Sequence, residues 1–218
     1  MSIGHRPAAA RIGHPGPEDG SSPLTFAGID VGGRRKGFHA AAVDADGKLA
    51  AGPQQLPAVE PVLAWLAEVG PSVVAIDSPM TSAPRGGSSR PGERALAREI
   101  CGIRFAPESS RLAGDPYYEW IVCGLQLYRA LKGAARDWEV IEVFPTASWT
   151  VWARPRGNRT RARWTADALD AMRLEGLPDR RLSQDDRDAI AAALTARLYA
   201  YGETRQCDEI VVPLAHSA

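Results

Sequence analysis

Acidic residues end two apolar segments of this sequence, where an unpaired charge is costly. Asp30 lies in the apolar run LTFAGIDV (24–31), and Asp77 ends the run SVVAID (72–77). An ionised carboxylate in such surroundings needs a cation or hydrogen-bond donors to compensate its charge. Each aspartate therefore either caps a neighbouring turn through backbone N–H groups or contributes to a cation site, and the pattern leaves both interpretations open.

A third acidic motif, SQDDRDAI (183–190), stands at the start of a predicted helix. Asp185 and Asp188 are spaced to share one helix face, whereas Asp186 points about 100° away from Asp185 around the helix axis. Ser183 and Asp186 match a capping box with aspartate in place of glutamate. We assign Asp186 to capping and predict a site role for Asp185 and Asp188. Favourable placement of acids in a first helical turn is the alternative for that pair.

Together the acids have the chemistry of a divalent-metal site. Mg²⁺ and Mn²⁺ prefer oxygen ligands from a few carboxylates, and a pair of such ions stabilises the attacking and leaving oxygens of phosphodiester hydrolysis. Glu142, near the end of WEVIEVF (138–144), is a candidate further ligand or base, or else an outward charge on an edge strand. The predicted metal ligands are Asp30, Asp77, Asp185 and Asp188, and the predicted catalytic residues are these four and Glu142.

A basic segment with five arginines and no acid covers residues 154–163. Guanidinium groups match phosphates well, so the segment is a candidate nucleic-acid contact; a solvated, flexible loop is the alternative. Trp149, Trp152 and Trp164 flank it and either stack on bases or pack in the core between short helices. The predicted nucleic-acid-binding residues are Arg154, Arg156, Arg159, Arg161 and Arg163.

The overall composition is that of a globular protein with no global attraction to a polyanion. The 218 residues contain 26 Lys and Arg and 26 Asp and Glu, so any nucleic-acid binding must come from a local patch. The three cysteines are widely spaced, which favours free thiols in a reducing compartment. No apolar run approaches the roughly 20 residues that span a bilayer, and the N-terminus lacks the apolar core of a signal peptide. We expect a cytoplasmic protein with no membrane partner.

The order of predicted elements indicates one α/β domain. Residues 1–23, rich in Gly, Pro and Ala, are expected to be a flexible tail, 24–213 a single domain, and 214–218 a C-terminal tail. Three strands joined by short turns should pair antiparallel, and later strands separated by helices should be parallel. This mixed sheet with helices on its faces resembles the ribonuclease H-like arrangement. Apolar periodicity predicts helices at 58–69, 91–100, 115–133, 164–175 and 185–201, and strands at 24–31, 37–43, 72–77, 138–144 and 209–212.

Five short motifs resemble an uncharacterised family of predicted ribonuclease H-like nucleases, known as domain of unknown function 429. They are GID (28–30), IDSP (76–79), ERALARE (93–99), IEVFP (141–145) and DDRDAIAAALT (185–195). The two acidic strands and the helical acid pair are also similar to the Holliday-junction resolvase branch of that superfamily. The resemblance implies a metal-dependent nuclease in which the four predicted aspartates are the ligands.

Two other functions stay open. One is a non-catalytic module of the same fold that binds nucleic acid or a nucleotide. The other is a phosphate-binding protein of the actin and sugar-kinase type, because GIDVGGRRKG (28–37) resembles the first phosphate loop of that class. That class needs two such lobes, so this chain would have to act as a homodimer; the same glycines also suit a simple turn between strands. The same residues are compatible with DNA or RNA, with a branched or a linear substrate, and with a monomer or an oligomer.

Overall fold

A computed structural model describes residues 24–136 and 138–215. The predicted tail 1–23 lies outside the described residues, as do the last three residues of the predicted tail 214–218. The strands are β1 (Thr25–Val31), β2 (Phe38–Asp44), β3 (Leu49–Leu56), β4 (Val73–Asp77), β5 (Glu139–Val143), β6 (Thr204–Cys207) and β7 (Ile210–Pro213). The helices are α1 (Val59–Val69), α2 (Pro91–Glu99), α3 (Ser109–Gly114), α4 (Glu119–Gly133), α5 (Pro145–Trp152), α6 (Arg161–Met172) and α7 (Gln184–Ala200), with a 3₁₀ turn at Pro116–Tyr118 before α4.

The strands form one seven-stranded mixed sheet in the order β3-β2-β1-β4-β5-β7-β6. The first three strands pair antiparallel, β1, β4, β5 and β7 run parallel, and β6 pairs antiparallel with β7. Helices pack against the sheet, as expected when parallel strands are joined by helical crossovers. The predicted α/β fold with a ribonuclease H-like mixed sheet is therefore confirmed.

Side chains alternate between the two faces of the sheet, and this alternation decides what each acid can reach. On one face, Ile29 and Ile76 pack with residues of α1 and α4. On the other face, Phe26, Val73 and Ala75 pack with the alanine-rich surface of α7. Asp30 and Asp77 follow these last residues by even numbers of positions, so both carboxylates belong to the α7 face.

Local signals explain several element ends and also the short helix α5, which the sequence patterns missed. Pro145, the residue after the strand predicted at 138–144, opens α5, because its missing N–H costs nothing at a first helical position. Helix α6 begins earlier than predicted, since the Thr160 hydroxyl accepts the Arg163 N–H at 3.2 Å and caps it. The glycine pair Gly32 and Gly33 lies in the turn between β1 and β2, as the interpretation of a simple turn predicted.

Of the described helices, none combines the length and apolar character needed to cross a membrane.

Candidate metal centre

Two aspartates stand side by side at the carboxyl ends of β1 and β4. Asp30 and Asp77 are register partners in the parallel pair formed by these strands. Both side chains are half-buried, and the two carboxyl groups share a hydrogen bond. Because their strands are neighbours and their side chains face the same helix, sheet geometry alone brings these two acids together.

Helix α7 crosses β1 at unusually short range, and a glycine permits it. A Cβ atom at Gly28 would lie 2.1 Å from the Ala193 nitrogen and 2.2 Å from the Ala189 oxygen, inside the helix backbone. Only a residue without a side chain allows this approach. Asp188 immediately precedes Ala189, so the contact holds the acidic start of α7 beside the carboxyl end of β1.

Asp188 is the most firmly held of the acids. Its side chain is only 3% exposed. Its Oδ1 accepts hydrogen bonds at 3.0 Å from Trp149 Nε1 of α5 and from Gln184 Nε2 of α7. Its Oδ2 accepts one from Arg161 Nη2 of α6 at 2.9 Å. Three helices thus fix the direction of this carboxylate.

Asp185 lies at the outer edge of the same group. Its side chain is 26% exposed, and its Oδ2 accepts a hydrogen bond from Lys36 Nζ at 2.9 Å. His39 Nε2 lies 3.9 Å from the same oxygen. Asp185 is near enough to Asp30 and Asp188 to raise the pKa of each. The structure therefore brings Asp30, Asp77 and Asp188 together and places Asp185 at their rim.

Burial and mutual repulsion raise the pKa values of the inner acids. Burial, then the charges of Asp77, Asp188 and Asp185, raise the pKa of Asp30 well above its ordinary value. Burial and the Asp188 charge raise the pKa of Asp77 to about 8. Burial also raises the pKa of Asp188, while Arg161 opposes the shift at all three carboxyl groups. Without an added cation, this group is stabilised by bound protons and by one guanidinium.

The carboxylate oxygens of these acids suit a hard divalent cation, but in this structure basic side chains of the same chain pair with two of the acids. Among the described residues, no group of three or more His, Cys, Asp or Glu side chains is arranged to hold a metal ion as it stands. Arg161 and Lys36 pair with Asp188 and Asp185 instead. The Arg161 Nε is buried without a hydrogen-bond partner in the described structure, so this pairing leaves a polar group unsatisfied. A site whose ligands are all oxygens, and whose paired Arg161 and Lys36 side chains can be displaced by a metal ion, fits Mg²⁺ or Mn²⁺.

Glu142 does not share the sheet face of the aspartates, so it is not placed as the further ligand or base that the sequence suggested. Ile141 and Val143 face α7, so Glu142 projects from the opposite face of β5. It is buried, and Arg90 binds both of its oxygens while the Met80 N–H donates to Oε2 at 2.7 Å. The strand β5 lies between β4 and β7, so the edge-strand alternative is wrong as well.

The Glu142 contact belongs to a buried charge network around the start of α2. Arg90 Nε donates to Glu93 Oε1 at 2.9 Å, and the Ala106 N–H donates to the same oxygen at 2.9 Å. Burying two carboxylates around one arginine is tolerable only because each oxygen finds a donor. The network ties the segment before α2 to β5, and we assign Glu142 to that structural role.

Asp186 caps α7, as predicted. The Ser183 hydroxyl accepts the Asp186 N–H at 3.0 Å, and Asp186 Oδ2 accepts the Ser183 N–H at 2.9 Å. Arg180 Nη1 and His39 Nδ1 also contact its carboxylate, at 2.7 and 2.9 Å. Burial alone would raise the pKa of Asp186, but these hydrogen bonds lower it well below its ordinary value.

The arginine segment divides into exposed and anchored side chains. Arg154, Arg156 and Arg163 are exposed. Arg159 instead stabilises the loop, because its Nη2 donates a hydrogen bond to the Pro155 carbonyl at 2.7 Å. Arg161 reaches the acids, so the segment does lie beside the candidate centre.

The tryptophans that flank the arginine segment belong to the core. Trp149 and Trp164 are buried, so the base-stacking interpretation is wrong for them and the core-packing alternative is correct. Trp152 is half-buried and packs edge-on against Trp149 with ring centroids 5.8 Å apart.

A cleft of about 490 Å³ opens next to the acids, and no pattern in the sequence indicates it. Asp77 and Arg161 line it, together with residues of α4, of the strand ends and of the segment after α2. Trp120 carried a sequence signal, but its place in the apolar stripe of α4 is typical of core packing. The further lining residues are Val31, Ser78, Pro79, Arg90, Gly102, Ile103, Arg104, Trp120, Glu142, Val143, Phe144 and Thr146.

Comparison of the chain with protein-family models, with curated proteins and with solved structures finds no match. The chemical interpretation of the centre therefore depends on the residues and geometry described above.

Proposed function

We propose that this chain is a divalent-metal-dependent nuclease that hydrolyses phosphodiester bonds. The observation that carries the proposal is the grouping of Asp30, Asp77 and Asp188, where burial and then the charges of neighbouring carboxylates raise the pKa of each. Such a group favours the binding of a cation. Asp30, Asp77 and Asp188 would hold Mg²⁺ or Mn²⁺, with Asp185 contributing from the rim.

Bound Mg²⁺ or Mn²⁺ would supply charge stabilisation for the attacking and leaving oxygens of the phosphodiester. The chain's own residues prepare the site for this. Trp149 and Gln184 hold the Asp188 carboxylate in one orientation, which is the role that outer hydrogen bonds play at metal sites. Arg161 pairs with Asp188 and also lines the adjacent cleft, where its guanidinium would pair with a substrate phosphate.

Two further parts of the proposal concern relationship and location. The five motifs and the ribonuclease H-like sheet support membership in the family of predicted nucleases known as domain of unknown function 429. Cys101, Cys123 and Cys207 are free thiols, which supports a reducing compartment such as the cytoplasm.

Cleavage of labelled oligonucleotides tests the proposal directly. Single- and double-stranded DNA and RNA would be incubated with the wild type in Mn²⁺, Mg²⁺ or EDTA. We expect metal-dependent cleavage that Asp30→Asn and Asp188→Asn reduce more than about 100-fold, since even an outer partner of a metal site is worth roughly 10- to 100-fold. Asp186→Asn, altered on the capping side of the same helix, should retain cleavage. Equal cleavage by Asp30→Asn and wild type, or no cleavage of any of these substrates in either metal, would refute the proposal.

One observation favours a second candidate function. Arg161 and Lys36 already neutralise two of the acids, so the site holds charge balance without a metal ion. This balance suits a non-catalytic module that binds nucleic acid or a nucleotide. That alternative predicts equal binding in EDTA and in Mn²⁺, with no cleavage in either.

A further inference from the structure

The cleft beside the acids, hereafter the side cleft, is lined by Asp77 and Arg161 and also by Trp120, Phe144, Ile103 and Arg104. The side cleft is continuous with the acid group, because Asp77 belongs to both. A molecule seated in the side cleft would therefore contact the candidate centre directly.

The walls of the side cleft suit a flat, apolar ring. Trp120 comes from α4, Phe144 from the residue before α5 and Ile103 from the segment after α2, and all three are half-buried. Val31 and Val143 add further apolar surface. Aromatic side chains at a binding surface stack on nucleobases with little dependence on base identity.

The size of the side cleft selects one nucleotide over a duplex. Its volume of about 490 Å³ lies in the range of small-molecule sites, roughly 300–1,000 Å³. Base pairs inside a duplex cannot enter such a space, whereas an unpaired or extruded base can.

The contact of Arg161 with the acids suggests the orientation of the nucleotide. Arg161 lines the side cleft and pairs with Asp188, whereas Arg104, which also lines the cleft, is exposed. A phosphate directed towards Arg161 would lie beside Asp77 while its base lies among the apolar walls.

We infer that the side cleft binds the base of a single unpaired nucleotide, with the phosphate towards Asp77 and Arg161. The substrate of the centre is then single-stranded or locally unpaired nucleic acid, and this second step rests on the proposed nuclease function.

Calorimetric titration in EDTA tests base binding without depending on a metal ion or on cleavage. Adenosine 5′-monophosphate and ribose 5-phosphate carry the same phosphate and differ by the base. We expect the nucleotide to bind at least about tenfold more tightly than the sugar phosphate, and Trp120→Ala to remove about that factor, as base stacking predicts. Binding of ribose 5-phosphate should be unchanged in that variant.

Further variants distinguish the removal of an aromatic ring from the side cleft from a general loss of folded structure. Phe144→Leu keeps apolar volume, removes a ring and should also weaken nucleotide binding. Trp138→Ala alters another half-buried tryptophan, which packs on the core away from the side cleft, and should leave nucleotide affinity intact. Equal affinity for the two probes, or unchanged nucleotide affinity in both Trp120→Ala and Phe144→Leu, would overturn the inference.

The same proteins distinguish failure of the inference from failure of the proposed function. Metal-dependent cleavage by a wild type that binds both probes equally would leave the nuclease standing and remove the base site. Base-dependent binding without cleavage of any oligonucleotide would keep the base site and remove the nuclease. A nuclease that cuts intact duplex as fast as single strands would overturn the assignment of an unpaired substrate.

Discussion

Arg161 supplies the positive charge that opposes the raised pKa values of all three inner acids. It pairs with Asp188 at 2.9 Å, lowers the pKa values of Asp30, Asp77 and Asp188 against the effect of burial, and keeps a buried Nε without a partner. A cation that enters the acid group must compete with this guanidinium. The residue therefore links the stability of the metal-free protein to its affinity for metal.

We predict that Arg161→Gln binds Mn²⁺ more tightly than the wild type while being less stable in EDTA. Loss of a hydrogen bond to a charged group costs about 1.5–3 kcal/mol, and removing a competing interaction worth about 1.4 kcal/mol raises affinity about tenfold. Calorimetric titration with Mn²⁺ and thermal melting in EDTA measure the two effects. Arg163→Gln, an exposed partner of Asp167 on the same helix, is the matched control and should change neither. Weaker Mn²⁺ binding by Arg161→Gln would show that the guanidinium does not compete.

A second prediction concerns pH. The pKa of Asp77 rises on folding from its ordinary value of 3.8 to about 8, so the folded state binds more protons than the unfolded state between these pH values. Stability in EDTA should therefore fall as pH increases through this interval and level off above it. Asp77→Asn should have a smaller slope and melt above the wild type at pH 8.5, by about 2–4 °C for each kcal/mol gained.

Asp186→Asn provides the control of opposite sign. The pKa of Asp186 falls on folding, so its contribution to stability is present at neutral pH and is lost only in acid. This variant should melt below the wild type at neutral pH and keep the wild-type slope between pH 5 and 8. A wild type whose melting temperature in EDTA rises steadily over that interval would contradict the raised pKa values of the inner acids.

At the scale of elements, the contact between β1 and α7 sets the geometry of the centre. Gly28 admits the helix backbone, and the buried alanines Ala189, Ala192 and Ala193 keep the helix close to the sheet. Because α7 carries Asp185 and Asp188 while β1 carries Asp30, the spacing of this one contact determines how near the acids lie. The helix supplies both core packing and ligands, so stability and site geometry are coupled through it.

We predict that Gly28→Ala strongly lowers the free energy of unfolding. The variant molecules that still fold should bind Mn²⁺ more weakly than the wild type. The new Cβ would lie 2.1 Å from the Ala193 nitrogen, so α7 must move. Overpacking of this kind costs about 1–3 kcal/mol or more. Urea unfolding measures the loss. Gly133→Ala, at the end of α4 with no atom within 4 Å of the added Cβ, is the control and should be neutral or stabilising. A Gly28→Ala protein of wild-type stability would disprove the close packing.

At the scale of the whole molecule, zero net charge requires any polyanion to be recognised locally. Arg154, Arg156 and Arg163 form an exposed basic group on the loop and first turn of α6, next to the residue that reaches the acids. The arrangement places attraction for phosphate beside the centre, while the rest of the chain carries a compensating excess of acid.

We predict that replacing Arg154, Arg156 and Arg163 by serine weakens binding of single-stranded nucleic acid and flattens its salt dependence. Each lost phosphate contact lowers the slope of log affinity against log salt by about 0.7 for single strands, so three contacts change it by about 2. Fluorescence anisotropy across a salt series measures the slope. Replacing three exposed arginines of α2 and α4 that do not line the side cleft, Arg94, Arg98 and Arg129, is the charge-matched control. An unchanged slope in the first variant would assign the segment to the solvated-loop alternative.

The sequence by itself determined the longer helices and most of the strands, although not α3, α5 or β6. It also determined that Asp30 and Asp77 lie near the ends of their strands, and that Asp186 caps α7. These features depend on local periodicity, on capping and on the rule that neighbouring parallel strands end at one edge of the sheet. Such signals are encoded within a few residues and survive without knowledge of the partners.

Only the tertiary structure decided the face of Glu142, the contact of Arg161 with the acids and the existence of the side cleft. The strand β5 is apolar on both faces because both are covered, so alternation in its sequence does not reveal where Glu142 points. Its partner Arg90 lies 52 residues away, and Arg161 and Asp188 are 27 residues apart. The side cleft likewise exists only because separate segments leave space between them, and no local pattern records a space that distant residues enclose.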